Sequence, residues 1–184
     1  LYFSANTNVY TFAGQSLRDD AVVRTDAAGS TASVVFSESG DANAFHIAGD
    51  GTFLFSELFG AQDDDLLVFN PMTNTTTTLL DGNAVFTGSI DIDAVSLDAS
   101  GGLILSLLAD ATVTASGQAI RDGDLFSFDP TTSAATILIA ETDLFDDGDG
   151  DISGAHALDD GSFLLTIDEA EQISGQLFSQ NSVI

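Results

Sequence analysis

The chain has 184 residues, 44% of them hydrophobic, which suffices for one folded domain with a sizeable core and argues against wholesale disorder. Its 29 acidic residues face three arginines and no lysine, for a net charge of −26. That surface repels phosphate, so nucleic acid and anionic membrane are excluded as partners; the absence of cysteine leaves no disulfide staple and no thiol chemistry.

In chain order, residues 1–4, 21–23 and 33–36 read as three short strands, the second to fourth of a part-unit that covers residues 1–40. A repeat then sets in. Asp41-Ala-Asn43-Ala-Phe45-His46 recurs as Asp91-Ile-Asp93-Ala-Val95-Ser96 and as Asp151-Ile-Ser153-Gly-Ala155-His156, 50 and 60 residues further on. A small or acidic turn follows each copy (Gly49-Asp50-Gly51, Ser100-Gly101-Gly102, Asp159-Asp160-Gly161), and then an apolar strand. In the 91–150 unit, residues 94–97, 103–108, 125–128 and 136–139 read as four strands, parted by Gly/Asp turns and by Asp129-Pro130. The 41–90 unit repeats this, and 151–184 holds strands one to three of a last part-unit. The second strand is apolar at every position of all three copies (Phe53-Leu54-Phe55, Leu103-Ile104-Leu105, Phe163-Leu164-Leu165), the pattern of a strand buried on both faces. No helical period is present.

Four-stranded units of this length, stacked face to face, are the signature of β-propeller blades. The strand order and the Asp-Gly turn between strands one and two resemble blades of the NHL and gluconolactonase-like type, in which an inner hairpin of the form Ala-Val-x-x-Asp-Gly recurs. The resemblance implies an all-β, propeller-like array of four-stranded antiparallel blades, about three and a half of them in this chain. Open sheet edges at both ends predict that partners are the remainder of a longer chain or copies of itself.

The carboxylates at the foot of strand one carry the strongest chemical signal. In an extended segment residues two apart share a face, so Asp91 with Asp93, Asp41 with Asn43, and Asp151 with Ser153 should each present paired oxygens. The third copy adds Asp147 and Asp149 upstream. Calcium takes six to eight oxygen ligands, and calcium is the expected ion at these eight residues. The run 149–160 meets the EF-hand pattern in part, but His156 stands at its hydrophobic position and strands flank it. Two other readings stay open: solvated Asx-turns at each single site, and salt adaptation without specific ions. Asp63-Asp64-Asp65 reads as a solvated charge run that discourages edge pairing, and Arg18 and Arg121 read as turn-fixing partners of nearby acids.

His46, Ser96 and His156 occupy equivalent positions, and strand alternation predicts that they lie on the face opposite the Asp pairs as hydrogen-bonded interior groups. No nucleophile elbow, HExxH or phosphate loop occurs. No apolar run is long enough to cross a bilayer. The first residue, Leu1, is compatible with a removed secretion signal, and the unneutralised acid suits an ion-rich exterior. The sequence therefore predicts a calcium-stabilised extracellular or cell-surface module with a structural, adhesive or assembly role, open to a protein or glycan ligand. The alternatives are a metal-dependent lactonase-like hydrolase, which the lack of Glu at strand one disfavours, and a salt-adapted binding module.

Overall fold

The structure is a computed structural model that describes residues 2–3, 10–12, 15–17, 21–26, 28–37, 42–57, 64–88, 90–180 and 182–184. It is all-β, 51% strand against 5% helix, in antiparallel sheets arranged as a propeller-like array. The N-terminal sheet joins β1 (Tyr2–Phe3), β4 (Ala21–Thr25) and β5 (Ala32–Ser37), with β2 (Tyr10–Phe12) and β3 (Gln15–Leu17) forming a side hairpin. Two complete blades follow. One has the order β6-β7-β8-β9 (Ala42–Ile47, Phe53–Glu57, Leu66–Asn70, Thr75–Leu80). The next has β10-β11-β14-β15 (Ile92–Leu97, Leu103–Leu107, Leu125–Asp129, Ala134–Ile139), with the side hairpin β12 (Ala111–Thr112) and β13 (Ala119–Ile120). The last sheet pairs β16 (Ile152–Ala157) with β17 (Phe163–Ile167), beside the hairpin of β18 (Glu171–Ile173) and β19 (Gln176–Phe178). Val183 bridges to Thr166, so the third strand of this sheet begins where the repeat places it.

Each blade sends alternate side chains to its two neighbours, which explains why its second strand has no polar face. Leu54 packs forward against the 91–150 blade, while Phe53 and Phe55 pack backward on Val22 and Val35 of the N-terminal sheet. In the next blade Ile104 packs forward onto Ile152, Leu165 and Ile167, and Leu103, Leu105 and Leu107 pack backward. Strands β7 and β11 are buried throughout. Strand β17 departs from the expected double burial: Leu165 is 4% exposed, whereas Leu164, on the wall of a cavity, is 44% exposed.

The turns between strands one and two are built alike. Asp50 accepts from Thr52 N, Asp98 from Ser100 N and Gly102 N, and Asp160 from Ser162 N, and Gly51, Gly101 and Gly161 follow at φ +85°, +84° and +86°. A left-handed residue closes this hairpin, so glycine is required there. These carboxylates are the solvated Asx-turns, held below the usual carboxylate range by their hydroxyl and amide donors.

Single helical turns α1 (Gly82–Val85) and α2 (Glu141–Leu144) follow strand four of the complete blades, too short for any periodicity to show. One expectation needs correction: the run before strand three is not a solvated one. Asp63 lies outside the described residues, but Asp64 and Asp65 are 7% and 9% exposed. Asp65 accepts from Gly82 N at 3.1 Å, and Asp64 from Ile90 N at 3.2 Å and from the Asn83 amide. Asp124 repeats the device one blade on, accepting from Glu141 N and Arg121 N, both at 2.9 Å. A buried carboxylate ahead of strand three thus satisfies the free N–H groups of the helical turn after strand four. Arg121 does fix this corner, through Glu141 at 3.1 Å; Arg18 lies outside the described residues.

Candidate functional site

The first strands β6, β10 and β16 lie side by side, and a bulge interrupts each at the same repeat position. Pairing shifts between Ala42 and Ala44, between Ile92 and Ala94, and between Ile152 and Gly154, so Asn43, Asp93 and Ser153 are the inserted residues. A bulge breaks the two-residue alternation and re-aims the inserted side chain. The expected within-strand pairing of Asp91 with Asp93 gives way to contacts between blades. Asn43 reaches forward and donates to Ile92 O at 3.1 Å, a carbonyl to which the Ser56 hydroxyl also donates. Asp93, its equivalent, points forward to Asp151 at the foot of the next inner strand.

Asp93 is 3% exposed, and no donor reaches its Oδ1 or Oδ2; Oδ1 of Asp151 is also buried without a donor. Removal from water pushes the Asp93 carboxyl well above the usual range, and the facing Asp151 charge adds to it. Asp151 is pushed up to about 6 by desolvation, against a hydrogen bond with Asp93 that lowers it, and with the charges of Asp122 and Asp168 adding to the rise. Arg121 pairs with Glu141. Among the described residues no cation acts on either carboxyl group where the two meet across the blade interface.

The bulges also correct the placement of the histidines. Asn43, Asp93, Ser153, His46 and His156 line one cavity of about 820 Å3 along the inner strands, with apolar walls that include Phe45, Val95 and Leu164. His46 and His156 stack there, with ring centroids 6.0 Å apart and planes at 26°. Neither ring makes a hydrogen bond to another described residue, and each meets the other ring instead. Desolvation, followed by the His156 charge, lowers the pKa of His46. Ser96, the intervening member of the series, is buried and accepts from Ala157 N at 3.0 Å, tying the 91–150 blade to the last sheet.

Apart from Asp93 and Asp151, the fold does not gather the described members of the expected ligand set at one point. Asp41 lies outside the described residues. Asp91 is partly buried at the foot of β10. Asp147 and Asp149 sit on the exposed loop before β16, where Asp147 accepts from Asp149 N at 3.3 Å and both raise the pKa of nearby Glu171, after its desolvation. Asp146 is occupied in holding the β18–β19 turn through Ser174 N and Gly175 N. Ser153 lies 3.4 Å from the Thr166 hydroxyl. Among the described residues no three acidic or histidine side chains converge to hold a metal ion. The sequence could not show that Asp93 and Asp151, 58 residues apart, would be the pair that meets, since the contact depends on the bulge.

No protein-family model matches this chain, and no curated protein does. Solved structures of propeller type do resemble it. An auxiliary nutrient binding protein from Bacteroides thetaiotaomicron superposes with a TM-score of 0.52 at 11% identity, over 91% of this chain and 37% of its own. A protein described as a gluconolactonase gives a TM-score of 0.47 at 11% identity, over 89% and 57%, and the tricorn protease gives 0.45 at 14%, over 88% and 14%. The chain thus spans well under two thirds of the length of each. At such identities the likeness concerns the fold.

Proposed function

We propose that this chain is part of a non-catalytic, extracellular β-propeller module whose blades are locked together by a divalent cation, calcium, bound between Asp93 and Asp151. The observation that carries the reading is the buried, donor-free face formed by Asp93 Oδ1 and Oδ2 with Asp151 Oδ1. Unpaired carboxylates removed from water are costly, and a hard cation relieves both the desolvation and the mutual repulsion. The oxygens fit such an ion in kind, being two carboxylates with the Ser153 hydroxyl close by in the chain; water and main-chain carbonyls would complete a shell for which the side chains alone are too few. An ion at this point joins the first strands of adjacent blades, so its effect is structural. The acid-rich, lysine-free surface favours an exterior where calcium is millimolar.

The test is thermal melting with chelator and with calcium. Calcium at ten times its dissociation constant adds about 1.4 kcal/mol per site, or about 3–6 °C for a chain of this size. Asp93→Asn, which installs the amide that blade 41–90 carries at this position, should abolish the shift. Equal midpoints with and without calcium, or a shift that molar sodium chloride reproduces, would remove calcium from the account.

A further inference from the structure

The chain has only two histidines, and the fold brings both to one place. They come from β6 and β16, the first strands of sheets that are not consecutive, and stand at equivalent positions opposite Leu54 and Leu164 in their hairpins. The intervening strand β10 carries Ser96 at that position, and this small side chain is buried, where its hydroxyl accepts from Ala157 N at 3.0 Å. With Ser96 withdrawn, the imidazoles of His46 and His156 meet across the middle blade with ring centroids 6.0 Å apart, on the wall of the cavity of about 820 Å3. Among the described residues that line this cavity, the one other titratable side chain is Asp93, and no arginine is present.

We propose that His46 and His156 together bind one divalent transition-metal ion, of which zinc is the type, at the cavity wall. Neutral imidazole is a ligand for zinc, copper and nickel, whereas calcium and magnesium take oxygen. Neither ring is hydrogen-bonded to another described residue, so no such partner competes for the nitrogen lone pairs. Burial, and then the charge of His156, disfavours the protonated form of His46 and leaves it a lone pair at neutral pH. An ion bonded to an imidazole nitrogen at about 2.0–2.1 Å stands about 3 Å from that ring's centroid, so two rings that share one ion have centroids about 5–6 Å apart. The observed 6.0 Å lies at the upper end of that range. The outer side-chain torsion of histidine has a broad minimum, so each ring can turn a nitrogen toward the gap. His156 is exposed, which gives an ion a path from solvent, and the net charge of −26 draws cations to the molecule. Among the described residues no third acidic or histidine side chain converges on the pair, so water fills the remaining positions, as in an open zinc site. Such an ion ties the first strand of the 41–90 blade to that of the last sheet. The proposal rests on the histidine pair and not on calcium at Asp93.

The experiment is isothermal titration calorimetry of the full chain with zinc chloride, in buffer that holds calcium in large excess to keep zinc from the surface acids and from the Asp93–Asp151 pair. One zinc per chain is expected. His46→Ala and His156→Ala should each weaken that site about 100-fold or more, since changes merely behind a ligand already cost about 10–100-fold. Asp93→Asn should keep it. The melting shift with calcium should, conversely, survive both histidine replacements, so the zinc and calcium readings fail separately. In NMR spectra the ring signals of His46 and His156 should move together as zinc is added and stop at one equivalent. Circular dichroism confirms folding, and His46→Phe and His156→Phe, which keep an aromatic ring without a lone pair, replace the alanine variants if these do not fold. A parent that binds no zinc, binding that survives loss of either histidine, or binding that Asp93→Asn abolishes would overturn the proposal.

Discussion

Replacing Asp124 with alanine tests whether the buried acids ahead of strand three hold the blade corner together. Asp124 is 5% exposed and accepts from Glu141 N and Arg121 N, both at 2.9 Å. Hydrogen bonds to a charged group contribute about 1.5–3 kcal/mol each, and Glu141 N is left without this partner when the carboxylate goes. Against that, Asp124 is one of the charges that raise the pKa of Glu141, after desolvation and Asp122, so its removal relieves some repulsion. The net cost is about 3 kcal/mol, which for a chain of this length lowers the melting midpoint by about 6–12 °C. Asp124→Asn keeps one acceptor and turns a donor toward the other N–H, so about half that drop is expected. Asp129→Ala is the matched control, since its carboxylate also accepts two bonds, from Thr131 N and the Thr132 hydroxyl at 2.8 Å each, but in an exposed turn; its midpoint should stay within about 2 °C of the parent. The reasoning is refuted if Asp124→Ala melts no lower than Asp129→Ala.

Close packing at the same corner makes Gly123→Ala destabilising by about 1–3 kcal/mol, because a Cβ there would lie 2.0 Å from Gly150 O; Gly49→Ala, with nothing within 4 Å, should be neutral by the same melting assay. In chelator, the folded-state pKa of Asp151 is raised from 3.8 to about 6, so its contribution to stability is present below pH 3.8 and lost as pH rises through 6. The full shift is worth about 3 kcal/mol, reduced to about 1–2 by solvent screening, and a calcium-free melt at pH 7.5 should therefore fall below one at pH 5 by more in the parent than in Asp151→Asn. His46 has the opposite sign: its folded-state pKa is lowered from 6.5, so the stability it contributes is present at higher pH and lost as pH falls through the lowered value. An NMR titration should place its midpoint below 6.5, and His156→Ala should move it part of the way back.

The blades were legible because burial on both faces leaves a simple trace. Phe53-Leu54-Phe55 and Leu103-Ile104-Leu105 have no polar face to alternate with, and the sheet order follows from repetition of that trace. The first part-blade was legible too, since β1, β4 and β5 pair as its second to fourth strands should. What escaped reading was polar and long-range. Asp64 and Asp65 look like any surface acid run until Gly82 N and Ile90 N, up to 26 residues away, come to meet them. The helical turns α1 and α2 span four residues each and leave no period. The burial of Leu164 was over-read, because its sequence carries the pattern of its repeat while its side chain lies on a cavity wall.

The bulge decides how the site should be understood. Under strict alternation Asp93 would share a face with Asp91, and the acids would form separate two-oxygen corners at the rim, each open to water and each weak as an ion site. One inserted residue per inner strand instead turns position 43 or 93 toward the following blade, where the chain places a different partner each time, while Ser153 meets Thr166 of its own sheet. Asn43 meets a carbonyl and donates to it, a contact an amide satisfies without help. Asp93 meets another acid and cannot satisfy it alone. The same backbone device thus yields a self-sufficient hydrogen bond at one interface and, at the next, a pair of carboxyl groups that needs a proton or a cation. On the proposed calcium reading, residue choice at a single bulge position would set which blade interface depends on an ion, and the calcium response is then expected to follow Asp93 and to be indifferent to Asn43→Ala.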